Sequence, residues 1–350
     1  MLQFSIFTID PEVSQYPKIP SSEYMQREQS AQKDIKYSFN IIFVKNLKYF
    51  NLFSKKYKKV LAFDGGGVRA IIGLYFLRKL EEESSKSIFE SFDLFIGTSA
   101  GATNALMLGM NGSKIEDLEK FWTKENLKRI MNQSFIDKTS IFQTRPKYSN
   151  EGKKEILHNF FENKKIGQSL KPVVVTAYDL EARKPILLSS YGDPEVTAVQ
   201  AANASSAAPI YFPTASMEDG RWLIDGGIAT NNPSLLGYVE AKKLFSTNNI
   251  KVLGIGAGLN KRKISGRNSK NWGALGWFRH DILGIMLESS LQNEILKDLI
   301  GDDYLRVNSP IGNVNRRMDD MSERNLQRIK ELADDWWLQF GKKSINFINS

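Results

Sequence analysis

Two short hydrophobic runs, KVLAFD at 59–64 and FDLFIG at 92–97, each pass through a glycine-framed junction straight into a helical pattern. This repeated strand-to-helix step constrains the fold more than any other feature. The runs are short and largely apolar, as in strands covered on both faces. After the first, VRAIIGLYFLRKLEEE at 68–83 carries apolar positions at helical spacing and ends in a charged turn. After the second, SAGATNALMLG at 99–109 opens a helix rich in small residues. KPVVVTAYD at 171–179, RWLID at 221–225 and IKVLGIGAG at 250–258 are further candidate strands. Their separation by helical segments predicts parallel crossovers, and hence a three-layer α/β/α fold with a mainly parallel central sheet.

The junctions themselves carry chemistry. Gly97-Thr98-Ser99-Ala100-Gly101 is a G-x-S-x-G elbow, a sharp turn that lifts a serine oxygen clear of its own backbone. Asp64-Gly65-Gly66-Gly67-Val68-Arg69 offers consecutive backbone N–H groups at the start of a helix, suited to holding an oxyanion. A rival reading exists for the first block, because Gly65, Gly67 and Ala70 satisfy the G-x-G-x-x-G/A dinucleotide fingerprint. That fingerprint needs an acidic residue at the end of the next strand, whereas Glu81 to Glu83 close the first helix and the next strand runs into Ser99.

A serine nucleophile needs a base. The chain has two histidines: His158, in the helical pattern EILHNFFEN, reads as a partly buried structural imidazole, and His280 completes the order Ser99, Asp225, His280 of a hydrolase triad. Asp225, in RWLIDGGIATNNP, is the stronger candidate, with a strand delivering its carboxylate to a glycine turn. A plain Asp-Gly turn is the structural alternative. An aspartate of ordinary pKa, near 3.9, is a weak base, so the role requires burial or a hydrogen bond that aligns it with Ser99.

The 350 residues contain no cysteine, which excludes disulfides and thiolate chemistry and favours a cytosolic setting. A net charge of +9 favours an anionic partner, either a phospholipid surface or nucleic acid. The start, MLQFSIFTIDPEV, lacks the pattern of a secretory signal, and no run approaches the ~20 apolar residues of a membrane span, so membrane contact is expected to be peripheral. KNLKYFNLFSKKYKK at 45–59 interleaves six lysines with Tyr49, Phe50, Phe53 and Tyr57, a pattern suited to an acidic interface or to an arm with solvated lysines. KRKISGRNSKNWG at 261–273 reads as an exposed basic loop before a helical region from Trp277 to Lys297. MSERNLQRIKELADDWWLQF at 321–340 reads as a closing amphipathic helix with its two tryptophans packed inward.

Taken in order, DGGGVR at 64–69, GTSAG at 97–101 and DGG at 225–227 resemble the patatin-like phospholipases, lipid acyl hydrolases with a serine–aspartate dyad. The similarity extends from about Lys58 to the closing helix, through IGAG at 255–258, the Trp272 to Trp277 region and YLRVN at 304–308. Residues 1–57 stand outside it as an N-terminal extension, leaving 58–350 as the domain. The resemblance implies Ser99 as nucleophile, Asp225 as the base that activates it directly, and Gly65, Gly66 and Gly67 as oxyanion-hole amides, with Arg69 supporting that loop or the oxyanion. It implies a phospholipid or other acyl-lipid substrate with no metal and no cofactor; the basic surface fits peripheral adsorption to anionic membranes, and nucleic acid is not the expected partner. Relatives include enzymes switched on by an activator and toxins delivered into host cells. Ala70 departs from the pattern, since the family commonly has glycine there, and a backbone with φ > 0 would disfavour alanine. Acyl transfer to another acceptor, or a non-enzymatic membrane-binding module built on 45–59, are the alternatives.

Overall fold

The computed structural model describes residues 57–132, 145–273, 276–277, 284–285 and 291–350. His280 and positions 45–56 of the basic aromatic segment lie outside the described residues. The first strand, β1 (Lys58–Phe63), is buried from Val60 to Phe63. It leads through a 3-10 turn at Gly67–Ala70 into α1 (Ile71–Ser84), and β2 (Leu94–Gly97) leads into α2 (Ala100–Asn111). After α3 (Glu151–Phe161) come β3 (Val173–Asp179), β4 (Lys184–Ser189), α4 (Ala198–Ser205), the short β5 (Ala215–Ser216) and β6 (Trp222–Asp225). The chain then runs through α5 (Ser234–Phe245), β7 (Ile250–Ile255), α6 (Leu291–Ile300) and β8 (Tyr304–Val307) to α7 (Glu323–Asn349).

The eight strands form one sheet in the order β5-β6-β3-β2-β1-β7-β8, with β4 also paired to β3. Side-chain alternation along β1 divides the core. Leu61 and Phe63 join Phe95, Val173 and Val175 under α1, α2 and α7, whereas Val60 and Ala62 join Leu94, Ile96 and Val174 under α5 and α6. Both faces are thus covered by helices, which is why these strands read as near-continuous apolar runs. The closing helix packs along α1: Trp336 is fully buried with its indole N–H on the Ser309 hydroxyl at 2.8 Å, and the Trp337 ring lies 5.8 Å from that of Phe76.

The pairings β1–β2, β1–β7, β2–β3 and β7–β8 are parallel. RWLID departs from the parallel crossover that its spacing predicts, because β6 is antiparallel to β3. The physical reason is β4, which turns the chain back on β3 as a hairpin before α4 and β5 return it in the opposite sense. This reversal has a consequence for register. On β3, Val175 pairs with Gly97 at the end of β2, and Ala177 pairs with Asp225 at the end of β6. Since β4 takes the other edge of both residues, β2 and β6 meet end to end along one edge of β3.

The two lysines that end the 45–59 segment serve the fold. Lys58 pairs with Asp93 at 2.8 Å, and the Lys59 ammonium donates to the Ile348 carbonyl at 2.7 Å. The basic loop at 261–273 is largely exposed. Among the described residues, no helix is long and apolar enough to cross a membrane.

Candidate active site

Ser99 stands at the junction of β2 and α2 with φ 55° and ψ −125°. A non-glycine residue in such a sparsely populated region costs about 1–3 kcal/mol and persists only when its surroundings fix it. Here the Ser99 N–H donates to the buried Ser205 hydroxyl at 2.9 Å, and the Thr98 N–H donates to the Phe63 carbonyl at 3.1 Å. Gly101 lets α2 approach β1 closely: a Cβ there would stand 2.5 Å from the Asp64 carbonyl oxygen and 2.6 Å from that of Phe63. The elbow is therefore locked from beneath, while Ser99 itself remains partly accessible.

Asp225 arrives from the opposing strand at the level where Ser99 leaves β2. Its N–H donates to the Ala207 carbonyl at 3.1 Å, and its Oδ1 accepts the Gly227 N–H at 2.7 Å. The carboxylate is buried, with the Ser99 hydroxyl near enough to favour its ionised form. Burial pushes its pKa up to about 6, and the interactions with Ser99, the Gly227 amide and the Lys153 ammonium hold it from rising further. A chain of hydroxyls braces the junction: Thr176 donates to Thr98 and Thr98 to the Thr230 carbonyl, each at 2.9 Å.

The glycine loop lies beside this pair, an added Cβ at Gly65 standing 3.2 Å from the Ser99 Cβ. The Gly65 N–H is engaged by the Asn231 carbonyl at 3.1 Å, whereas those of Gly66 and Gly67 have no acceptor among the described residues. Gly67 has φ +55°, and a Cβ there would lie 2.3 Å from the Met318 carbonyl oxygen, so both backbone and space require glycine. Arg69 is buried and lines a cavity of about 300 Å³ with Asp64, Gly65, Asn231, Arg306 and Met318. Ala70 has φ −60° and ψ −17°, ordinary helical values, so alanine is accommodated without strain.

Two charge clusters anchor the loop. Asp64, immediately before Gly65, is held by both terminal nitrogens of Arg306, one at 2.8 Å. Behind Gly67, the Val68 N–H donates to the Met318 carbonyl at 2.9 Å, and the next residue, Asp319, accepts from Lys147, Tyr148 and Arg317. Burial alone would raise the Asp319 pKa, but the hydrogen bonds from Arg317, Lys147 and Tyr148 outweigh it and bring it down to about 2. A folded-state value below the unfolded one, about 3.9, means the network stabilises the fold above that pH and is lost as pH falls towards 2. Asp319→Asn is accordingly expected to melt below wild type at pH 7, with the gap narrowing below pH 4. A gap independent of pH in thermal melts would contradict this.

His158 is exposed, rather than partly buried, at the last turn of α3, with its Nε2 3.3 Å from the Asn163 side-chain oxygen. Glu81 to Glu83 belong to α1, so no acid stands at the end of β2 where a dinucleotide ribose would need one. Among the described residues, no three histidine, aspartate or glutamate side chains converge as a metal site. Ser205 and Lys153 are missing from the sequence-based set. The small-residue run SSAAP hints at close packing around Ser205, and Lys153 precedes Ile156, Leu157 and Phe161 on the apolar side of α3.

Comparisons with known proteins bear on these residues. "Patatin-like protein 1" of Arabidopsis thaliana is 29% identical over 79% of this chain and 80% of its own length. "cGAMP-activated phospholipase" of Pseudomonas aeruginosa is 28% identical over 71% of this chain and 77% of its own. "Calcium-independent phospholipase A2-gamma" of Rattus norvegicus is 26% identical over 79% of this chain and 40% of its own. Among solved structures, VipD from Legionella pneumophila aligns with TM-score 0.45 and 14% identity over 80% of this chain and 67% of its own, too distant to place individual residues. The patatin-like phospholipase family matches residues 61–236, half of the chain, a span that begins in β1 and ends in α5 and so contains the glycine loop, the elbow and the Asp225 turn. The chain therefore belongs to the patatin-like phospholipase family, whose members are lipid hydrolases.

Proposed function

We propose that the protein hydrolyses fatty-acyl esters of phospholipids or lysophospholipids through a Ser99–Asp225 dyad and an acyl-enzyme. The observation that carries this reading is the end-to-end meeting of β2 and β6, which sets the Ser99 hydroxyl against a buried carboxylate whose pKa is pushed up to about 6. Such a carboxylate is a far better base than an ordinary aspartate, yet it is largely ionised at neutral pH. Asp225 takes the Ser99 proton as Oγ attacks the acyl carbonyl carbon. The resulting oxyanion is held by the amides of Gly66 and Gly67, with Gly65 shaping the loop through its bond to Asn231 and Arg69 packed against it. Collapse breaks the ester bond, and the departing alcohol takes the proton back from Asp225. Water then repeats the sequence on the acyl-enzyme and releases the fatty acid.

The phospholipase names of two relatives support the phospholipid class. The charge of +9 and the exposed basic loop at 261–273 support adsorption to anionic bilayers. The base must be ionised to act, so release of fatty acid from anionic vesicles is expected to fall as pH drops through about 6. His280→Ala and His158→Ala are expected to keep most activity. An acidic limb unchanged from that of an ordinary aspartate, or loss of activity in folded His280→Ala, would reject the dyad in favour of another base.

A further inference from the structure

A buried ammonium beside the site takes no part in the proton transfers described so far. Lys153, on α3, is 4% exposed, yet it makes no ion pair within 4 Å among the described residues. Its Nζ donates to the Ser206 carbonyl at 3.1 Å and to the Ser206 hydroxyl at 3.3 Å, and lies 4.1 Å from the centre of the Phe212 ring. Taking a charge out of water is costly, so an isolated buried lysine requires compensation. Its position on the chain indicates where that compensation lies. Ser206 is flanked by Ser205, whose hydroxyl accepts the Ser99 N–H, and Ala207, whose carbonyl accepts the Asp225 N–H. The ammonium thus grips the middle of a three-residue strap whose two ends hold the nucleophile and the base.

The surrounding charges are few. Asp225 favours the protonated form of Lys153, and Lys154 on the same helix opposes it. Helix α4, packed against α3, carries no titratable side chain. From the helix Lys124–Ile130 on the other side, Arg129 pairs with Glu155. Seen from Asp225, Lys153 is the cation that favours the ionised carboxylate.

We propose that Lys153 is a positioning residue for the Ser99–Asp225 pair, fixing the Ser205–Ala207 strap by its hydrogen bonds and supplying the positive charge that favours the carboxylate form of Asp225. The proposal rests on the dyad reading. Burial lowers the Lys153 pKa to about 7 while Asp225 draws it back up, so the two groups titrate in neighbouring ranges and each favours the charged form of the other.

The test is the pH dependence of inactivation by a fluorophosphonate ester, which reads activation of Ser99 without requiring vesicle adsorption. Lys153→Gln keeps a donor for the Ser206 carbonyl but removes the charge, and Lys153→Arg keeps the charge. The glutamine variant is expected to shift the acidic limb upward by about one pH unit, with roughly a tenfold loss of rate on that limb. The arginine variant is expected to hold the limb near its wild-type position. A limb that stays in place in folded Lys153→Gln, while Asp225→Asn remains unreactive, overturns the proposal and leaves the dyad standing. Reactive Asp225→Asn would instead remove the dyad beneath it. Should Lys153→Gln not fold, the reciprocal measurement decides: by ¹⁵N-lysine NMR, Asp225→Asn is expected to lower the pKa of Lys153, and an unchanged titration overturns the proposal.

Discussion

Asp225→Asn protein is expected to fold like wild type and to release fatty acid from phospholipid vesicles about 10⁴-fold more slowly, with Ser99→Ala slower still, near 10⁶-fold. The substitution is conservative in shape. An asparagine oxygen still accepts the Gly227 N–H, and the backbone bond to Ala207 is untouched, so the turn after β6 survives. On the proposed mechanism, what is lost is the capacity to take a proton from Ser99. Stability supplies an independent readout. The folded-state pKa of Asp225 is raised above its unfolded value, so the ionised carboxylate lowers stability as pH rises through about 6. Asp225→Asn is therefore expected to melt above wild type at pH 8, with the difference gone by pH 4. An inactive variant that is also less stable at pH 8 would point to a structural rather than a chemical role.

Arg306→Met is expected to destabilise the fold by about 3–5 kcal/mol, because it leaves the Asp64 carboxylate buried without its bidentate partner. Few single substitutions away from the core carry so large an effect. Asp64 is the last residue before the glycine loop, so folded Arg306→Met protein is also expected to lose activity through misplacement of the Gly66 and Gly67 amides. Pairing it with Asp64→Leu tests the origin of the loss. Replacing both ends of a buried ion pair by apolar groups is often nearly neutral, so the double variant is expected to regain much of the stability. Denaturant melts of the two single variants and the double variant close this cycle. Additive losses would show that the pair contributes nothing beyond its separate side chains.

The local parts of the site were legible in the sequence, and the long-range parts were not. Gly97 to Gly101 and Gly65 to Gly67 announce themselves because their turns need small residues at fixed offsets. The α/β/α layering follows from apolar strands that alternate with amphipathic helices. RWLID reads as a parallel crossover yet runs antiparallel, because its direction is set by the β4 hairpin and not by its own residues. The meeting of β2 and β6 depends on pairing with β3, which no local pattern encodes. For the same reason nothing around Gly65 reveals that its amide is taken by Asn231, far along the chain. Lys153 was hidden by its type, since a lysine beside a second lysine reads as solvated surface. Its spacing from Ile156, Leu157 and Phe161 places it instead on the buried side of α3.

The central claim is that Ser99 carries the acyl group and that Asp225 is the base that activates it. Mass spectrometry of peptides from protein quenched with acid during turnover of phospholipid vesicles tests this most directly. The peptide containing Ser99 is expected to bear a fatty-acyl ester in wild type, and that adduct is expected to be absent from Ser99→Ala and from Asp225→Asn. An acyl adduct on another residue, or wild-type levels of Ser99 adduct in folded Asp225→Asn, would contradict the account.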